Sequence, residues 1–154
     1  MTRTDFSITV DIPAPRPLVW SVMADVERWP EWTSSVSRVK RLFPEPLRVG
    51  GRVRMHQPKL PPAFWRVTEL QPGASFTWVS RAPGVRVTAR HAADVIAIGT
   101  RATLSICYEG LLGALLARWV GDLNARYLAL EAAGLKARCT ELAAKPASQY
   151  YEAD

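Results

Sequence analysis

Apolar side chains alternate at Phe6, Ile8, Val10 and Ile12, a step of two that predicts a strand buried on one face. Pro13 and Pro15 end it, and Pro17 suits the first turn of a helix, where its missing N–H leaves no bond unmade. Leu18, Val19, Val22, Met23 and Val26 give that helix an apolar side, and Trp29-Pro30 closes a short extension of it. From residue 36 to 108 the pattern is of strands again. They are cut by Pro44-Glu-Pro46, Gly50-Gly51, Pro58 to Pro62, Pro72-Gly73, Pro83-Gly84 and Gly99-Thr100. The expected strands are 36–43, 52–57, 64–70, 75–80, 85–98 and 101–108. Their connections are too short for helical crossovers, so antiparallel pairing follows.

The period then changes. Leu112, Leu116, Trp119, Leu123, Tyr127 and Leu130 recur at a mean step of 3.6, which predicts a long amphipathic helix ending near Leu142 with that row facing inward. Gly121 and Gly134 weaken it, each by about 1 kcal/mol relative to alanine. The reading is one domain over 1–142 and a flexible tail over 143–154.

Alternation assigns the two faces of the sheet. Arg52, Arg54, Arg66, Arg86, Arg90 and Arg101 share one face with Thr68, Thr77, Thr88 and Thr103. The other face takes Met55 from the second of these six strands, Trp65 and Val67 from the third, Phe76 and Trp78 from the fourth. Ala89 and His91 follow, then Leu104, Ile106 and Tyr108. One wet face and one dry face suit an antiparallel sheet. The only long element free to cover the dry face is the C-terminal helix, whose apolar stripe spans about 100°. About seven strands spaced ~4.8 Å apart are too wide for that stripe unless the sheet curls around it. A curled sheet gripping one helix need not be filled by it, and an apolar cavity is the by-product.

Composition narrows the class. With 154 residues, 48% of them hydrophobic, the chain can build one core and is neither disordered nor fibrous. The longest apolar-rich run, 92–100, contains Asp94 and falls far short of the roughly 20 residues of a membrane span, so no stable membrane insertion is expected. Asp5 within the alternating opening argues against a targeting peptide, and two cysteines are too few for a disulfide scaffold. The expected setting is the cytoplasm. Net charge is +6, with sixteen of the 20 basic residues arginine. The arginine face has neither interleaved aromatics nor a groove-fitting helix, so it reads as a solvated surface and not as a nucleic-acid site.

The order strand, two short helices, six strands, long helix resembles the START-like superfamily, and within it the polyketide cyclase/dehydrase and lipid transport group. The resemblance is carried by Ile8-Thr-Val-Asp-Ile-Pro-Ala-Pro15, Val19-Trp20 and Asp25-Val-Glu-Arg-Trp-Pro-Glu-Trp32. Val49-Gly-Gly-Arg-Val53 and the closing 127–138 helix add to it. It implies an α+β helix-grip fold with a deep cavity, and brings no universal catalytic residues. Activities in the group run from aromatic-ring cyclisation to lipid binding, so the activity stays open.

Two readings follow. In the first, the domain binds a small hydrophobic molecule (a lipid, polyketide or aromatic metabolite) against the inward residues above together with Leu116, Trp119, Leu123 and Tyr127. Trp65, Phe76 and Trp78 either line that cavity or fill the core; Trp20, Trp29 and Trp32 anchor the N-terminal helices. In the second, the same cavity hosts a cyclase, aromatase or dehydratase, with His91 and Tyr108 or Tyr127 shuttling protons. No carboxylate is obviously placed to orient His91, which otherwise reads as a core histidine. Ser80 and Asn124 are candidate polar lining, Asn124 at the flank of the helical stripe. A third reading gives the arginine face a docking role. His56 and His91 stand 35 residues apart with no cysteine spacing between them, and there is no Gly-rich phosphate loop, so neither metal nor cofactor is expected. A homodimer is compatible with the sequence.

Overall fold

The computed structural model describes residues 3–44 and 46–145. Strand β1 (Arg3–Ile12) leads through Pro15 into α1 (Arg16–Ala24), with a proline in its first turn as expected, and a 3-10 stretch (Val26–Glu31) follows. Six strands come next: β2 (Arg38–Arg41), β3 (Arg52–His56), β4 (Ala63–Gln71), β5 (Ser75–Ala82), β6 (Val85–Ile96) and β7 (Gly99–Glu109). Helix α2 (Gly113–Ala144) closes the described chain. It runs two residues into the segment expected to be a flexible tail; 146–154 lie outside the described residues.

The seven strands form one antiparallel sheet in the order β1-β7-β6-β5-β4-β3-β2. Its dry face curves around α2, which packs on β1 and β7, while α1 closes against α2 and β6. Met55, Trp65, Val67, Phe76, Trp78, Ala89, His91 and Leu104 are buried, as alternation requires. Arg52, Arg54, Arg66, Arg86 and Arg90 are exposed on the other face. Phe64 is exposed among them with Arg54 over its ring at 5.8 Å, so that face does carry an aromatic.

Two departures from simple periodicity shape the interior. A bulge between Val67 and Glu69 resets the alternation of β4. Glu69, inward by simple parity, is exposed, and Leu70 turns in opposite Phe76. The second departure is the rotation of α2. Its buried residues are Gly113, Ala117, Asn124, Tyr127, Glu131, Ala132, Leu135 and Cys139. Of the expected row only Tyr127 is among them; Leu112, Trp119 and Leu130 are exposed, and Leu116 and Leu123 half-buried. Polar partners go with this phase: Asn124 meets Tyr108 of β7 and Glu131 meets His91 of β6. Gly134, on the side of the expected row, lies so close to the residue after the 3-10 stretch that a Cβ there would fall 1.9 Å from the Trp32 carbonyl oxygen.

Candidate functional site

The inner end of the hollow is an aromatic cage around one hydrogen-bonded histidine. His91, carried inward on β6, stacks on Phe76 of β5 at 4.7 Å and 10° between planes. Trp29 and Trp78 approach the same imidazole at 5.0 and 5.7 Å. Its Nε2 meets Glu131 Oε1 at 2.9 Å, both residues buried. Nδ1 is buried without a hydrogen-bond partner. A carboxylate therefore does orient His91, contrary to the expectation from sequence. Glu131 lies four residues after Tyr127 and seven after Asn124, hence on their side of α2, and that spacing is the signal that could have found it. Trp29 is likewise more than a helix anchor: its Nε1 donates to the Met23 carbonyl at 3.0 Å while its ring packs on Trp78 and His91.

These rings leave a chamber of about 60 Å³, lined among others by Met55, Trp65, Ala89, Ile106 and Tyr127. That is room for a few water-sized groups. Val67, Phe76 and Leu104, expected in the lining, are packed core outside the chamber. Further out lies a wider pocket of about 310 Å³ between the β3–β4 loop, the outer ends of β5 to β7 and the first half of α2. Leu60, Val85, Val87, Leu116 and Val120 make it apolar, and Gln57, Ser80, Arg81, Tyr108 and Asn124 supply its polar groups. Gln57, Trp65, Ile106 and Asn124 border both hollows and form the wall between them. The single deep cavity expected from the width of the sheet is thus divided, because the tryptophans fill its inner half.

The hydroxyls are already engaged. Asn124 Nδ2 donates to the Tyr108 hydroxyl oxygen, which leaves the phenolic proton free, and burial holds that proton on by raising the Tyr108 pKa. Asn124 is at the centre of the buried row, not at its flank. The Tyr127 hydroxyl donates to the Pro58 carbonyl and ties the β3–β4 loop to α2. Trp119, expected among the lining, is 82% exposed, and Leu123 borders neither hollow; both follow from the rotation of α2. A larger hollow, about 660 Å³, lies on the surface beside α1, but it is an open polar cleft edged by Asp25, Glu27, Arg28 and Arg41. No group of three or more metal-ligating side chains occurs among the described residues, and none of their helices is long and apolar enough to cross a membrane.

A family profile described as "Polyketide cyclase / dehydrase and lipid transport" matches residues 3–140. The chain belongs to this family. Solved structures agree on the START-like helix-grip fold. The START superfamily protein from Mycobacterium smegmatis superposes with a TM-score of 0.68 at 16% identity, covering 90% of this chain and 98% of that one. The Zhui aromatase/cyclase of a Streptomyces species gives 0.67 at 19% identity, covering 89% and 96%. The di-domain aromatase/cyclase StfQ of steffimycin biosynthesis gives 0.74 at 13% identity, covering 93% of this chain; the chain spans 52% of StfQ. At these identities the likeness is of fold. No curated protein matches the chain in sequence. For this polyketide cyclase/dehydrase family member, function has to be argued from the two hollows.

Proposed function

We propose that the domain binds a small hydrophobic molecule, a lipid, polyketide or aromatic metabolite, in the 310 Å³ pocket between sheet and helix. The observation that carries this is the pocket itself: mostly apolar walls, a few convergent polar groups, and a volume at the lower end of the range for small-ligand sites. Ring systems enter from the β3–β4 loop side and stop against Trp65 and Ile106; Tyr108 and Asn124 orient a polar substituent. Both cysteines are buried and unpaired, which supports a reducing cytoplasmic setting.

Titration with naphthol, a hydroxyanthraquinone and oleate, followed by tryptophan emission, tests the reading. At least one gives a saturable change, and Leu116→Arg, which puts a charge into the pocket wall, weakens it by roughly tenfold or more. If none of the three saturates, the reading is wrong.

One observation favours a second reading, a cyclase acting in the same pocket. The retained Tyr108 proton can pass to the oxygen of a ligand carbonyl as an enolate carbon of the same ligand attacks that carbonyl and the aldol bond closes, leaving the phenolate. His91 is a poorer candidate, with Nε2 engaged by Glu131 and Nδ1 sealed from solvent. Turnover of a poly-β-ketone that is lost in Tyr108→Phe would establish the second reading; turnover unchanged in that variant would remove it.

A further inference from the structure

Folding leaves an apolar ridge uncovered at the start of α2. Leu111, Leu115 and Trp119 are 94%, 52% and 82% exposed, and Leu112 beside them 49%. Leu115 and Trp119 are four residues apart on α2, one turn above the other, and Leu111 lies in the turn that leads into the helix. Their side of the helix is turned away from the buried Ala117, Asn124 and Glu131. Contiguous exposed apolar groups mark a surface for a protein or a membrane. This ridge adjoins the mouth of the outer pocket: Leu116 and Val120, next in sequence to Leu115 and Trp119, line it, as do Leu60, Pro61 and Pro62 of the β3–β4 loop. The Leu112 N–H donates to the Gly84 carbonyl at 2.9 Å, which fastens the β5–β6 turn to the same end.

Charge decides between the partners. Exposed Arg118 and Arg126 share the outward side of α2 with Leu115, and Asp122 lies between them. Lys59 is exposed on the β3–β4 loop and Arg81 borders the pocket; Glu109, at the end of β7, is the other acid here. We propose that this end of the domain docks on the surface of anionic lipid bilayers. Trp119 and the leucines sit among the headgroups, and Lys59, Arg81, Arg118 and Arg126 face the lipid phosphates. The inference rests on the pocket reading for its purpose, since docking turns the mouth of the pocket toward an apolar phase. A second copy of the chain fits less well: it would bring the same cations face to face. The ridge also offers four side chains where a stable interface engages about 20–30 residues a side.

Sedimentation with phosphatidylcholine vesicles containing three-tenths phosphatidylglycerol, and with phosphatidylcholine alone, tests this on the full chain without added ligand. The chain should partition onto the anionic vesicles and hardly at all onto the neutral ones. Leu115→Ser with Trp119→Ala, and separately Arg118→Glu with Arg126→Glu, should each reduce partitioning by roughly tenfold. All four positions are on the surface, so unchanged melting temperatures confirm that the variants fold. Failure to partition, equal partitioning onto neutral vesicles, or indifference to both pairs would overturn the proposal. So would a concentration-dependent dimer abolished by Trp119→Ala, which would assign the ridge to a second copy. Vesicle binding without binding of naphthol, the anthraquinone or oleate would retain the docking and discard the pocket reading; the reverse result would do the opposite.

Discussion

A carboxylate and an imidazole deep inside an apolar cage are expensive to bury singly and tolerable only as a pair. Removing Glu131 as Glu131→Leu strands His91 Nε2 and should destabilise the fold by about 3 kcal/mol in urea unfolding. His91→Phe together with Glu131→Leu should recover part of that loss, with a coupling of roughly 1–3 kcal/mol. Strict additivity would mean that the 2.9 Å contact contributes nothing to the native state. The cysteines give a pH dependence of definite sign. Burial pushes the Cys107 thiol up to about 11, helped by its hydrogen bond to Asp5, and burial alone does the same to Cys139. Folded thiols thus stay protonated between pH 9 and 11, where unfolded ones ionise. The unfolded state binds fewer protons there, so stability is intact below pH 9 and falls toward pH 11. The urea midpoint should decline over that interval, and a flat profile would contradict the burial of both groups.

The elements were largely legible in the sequence, because period and turn residues are local properties. Every expected strand occurs, and alternation placed Met55, Trp65, Trp78 and His91 on the inner face. What period could not reveal was phase. The leucine row of α2 has the better hydrophobic pattern, yet the helix buries Gly113, Ala117, Asn124 and Glu131. Polar partners on β6 and β7 outweigh side-chain hydrophobicity, and they are not visible within a helix-length window. The bulge in β4 hid Leu70 for a related reason: one extra residue inverts all the parity beyond it. The glycines show how firmly α2 is seated. Gly121→Ala meets only the Phe6 ring, nearest at Cζ 3.5 Å away, and should stabilise by up to about 1 kcal/mol. Gly134→Ala must push the helix off Trp32 and should destabilise by about 1–3 kcal/mol despite the same gain in propensity. Thermal unfolding that ranks the two variants the other way would show that α2 is free to shift.

For the molecule as a whole, a sheet of seven strands wrapped on one helix has more inner surface than the helix can cover. The chain resolves the mismatch unevenly. Trp29, Trp65, Trp78 and Phe76 fill one end down to about 60 Å³, and the other end keeps about 310 Å³ open beside the β3–β4 loop. The filled end carries the His91–Glu131 pair and fixes the helix; the open end is left for a ligand. Methyl-resolved NMR of the full chain titrated with naphthol tests that division most directly. Shifts should concentrate at Leu60, Val85, Val87, Ile106, Leu116 and Val120, while Val67 and Leu104 stay unmoved. Perturbation centred on Val67 and Leu104, or no saturable shift at any pocket methyl, would contradict it.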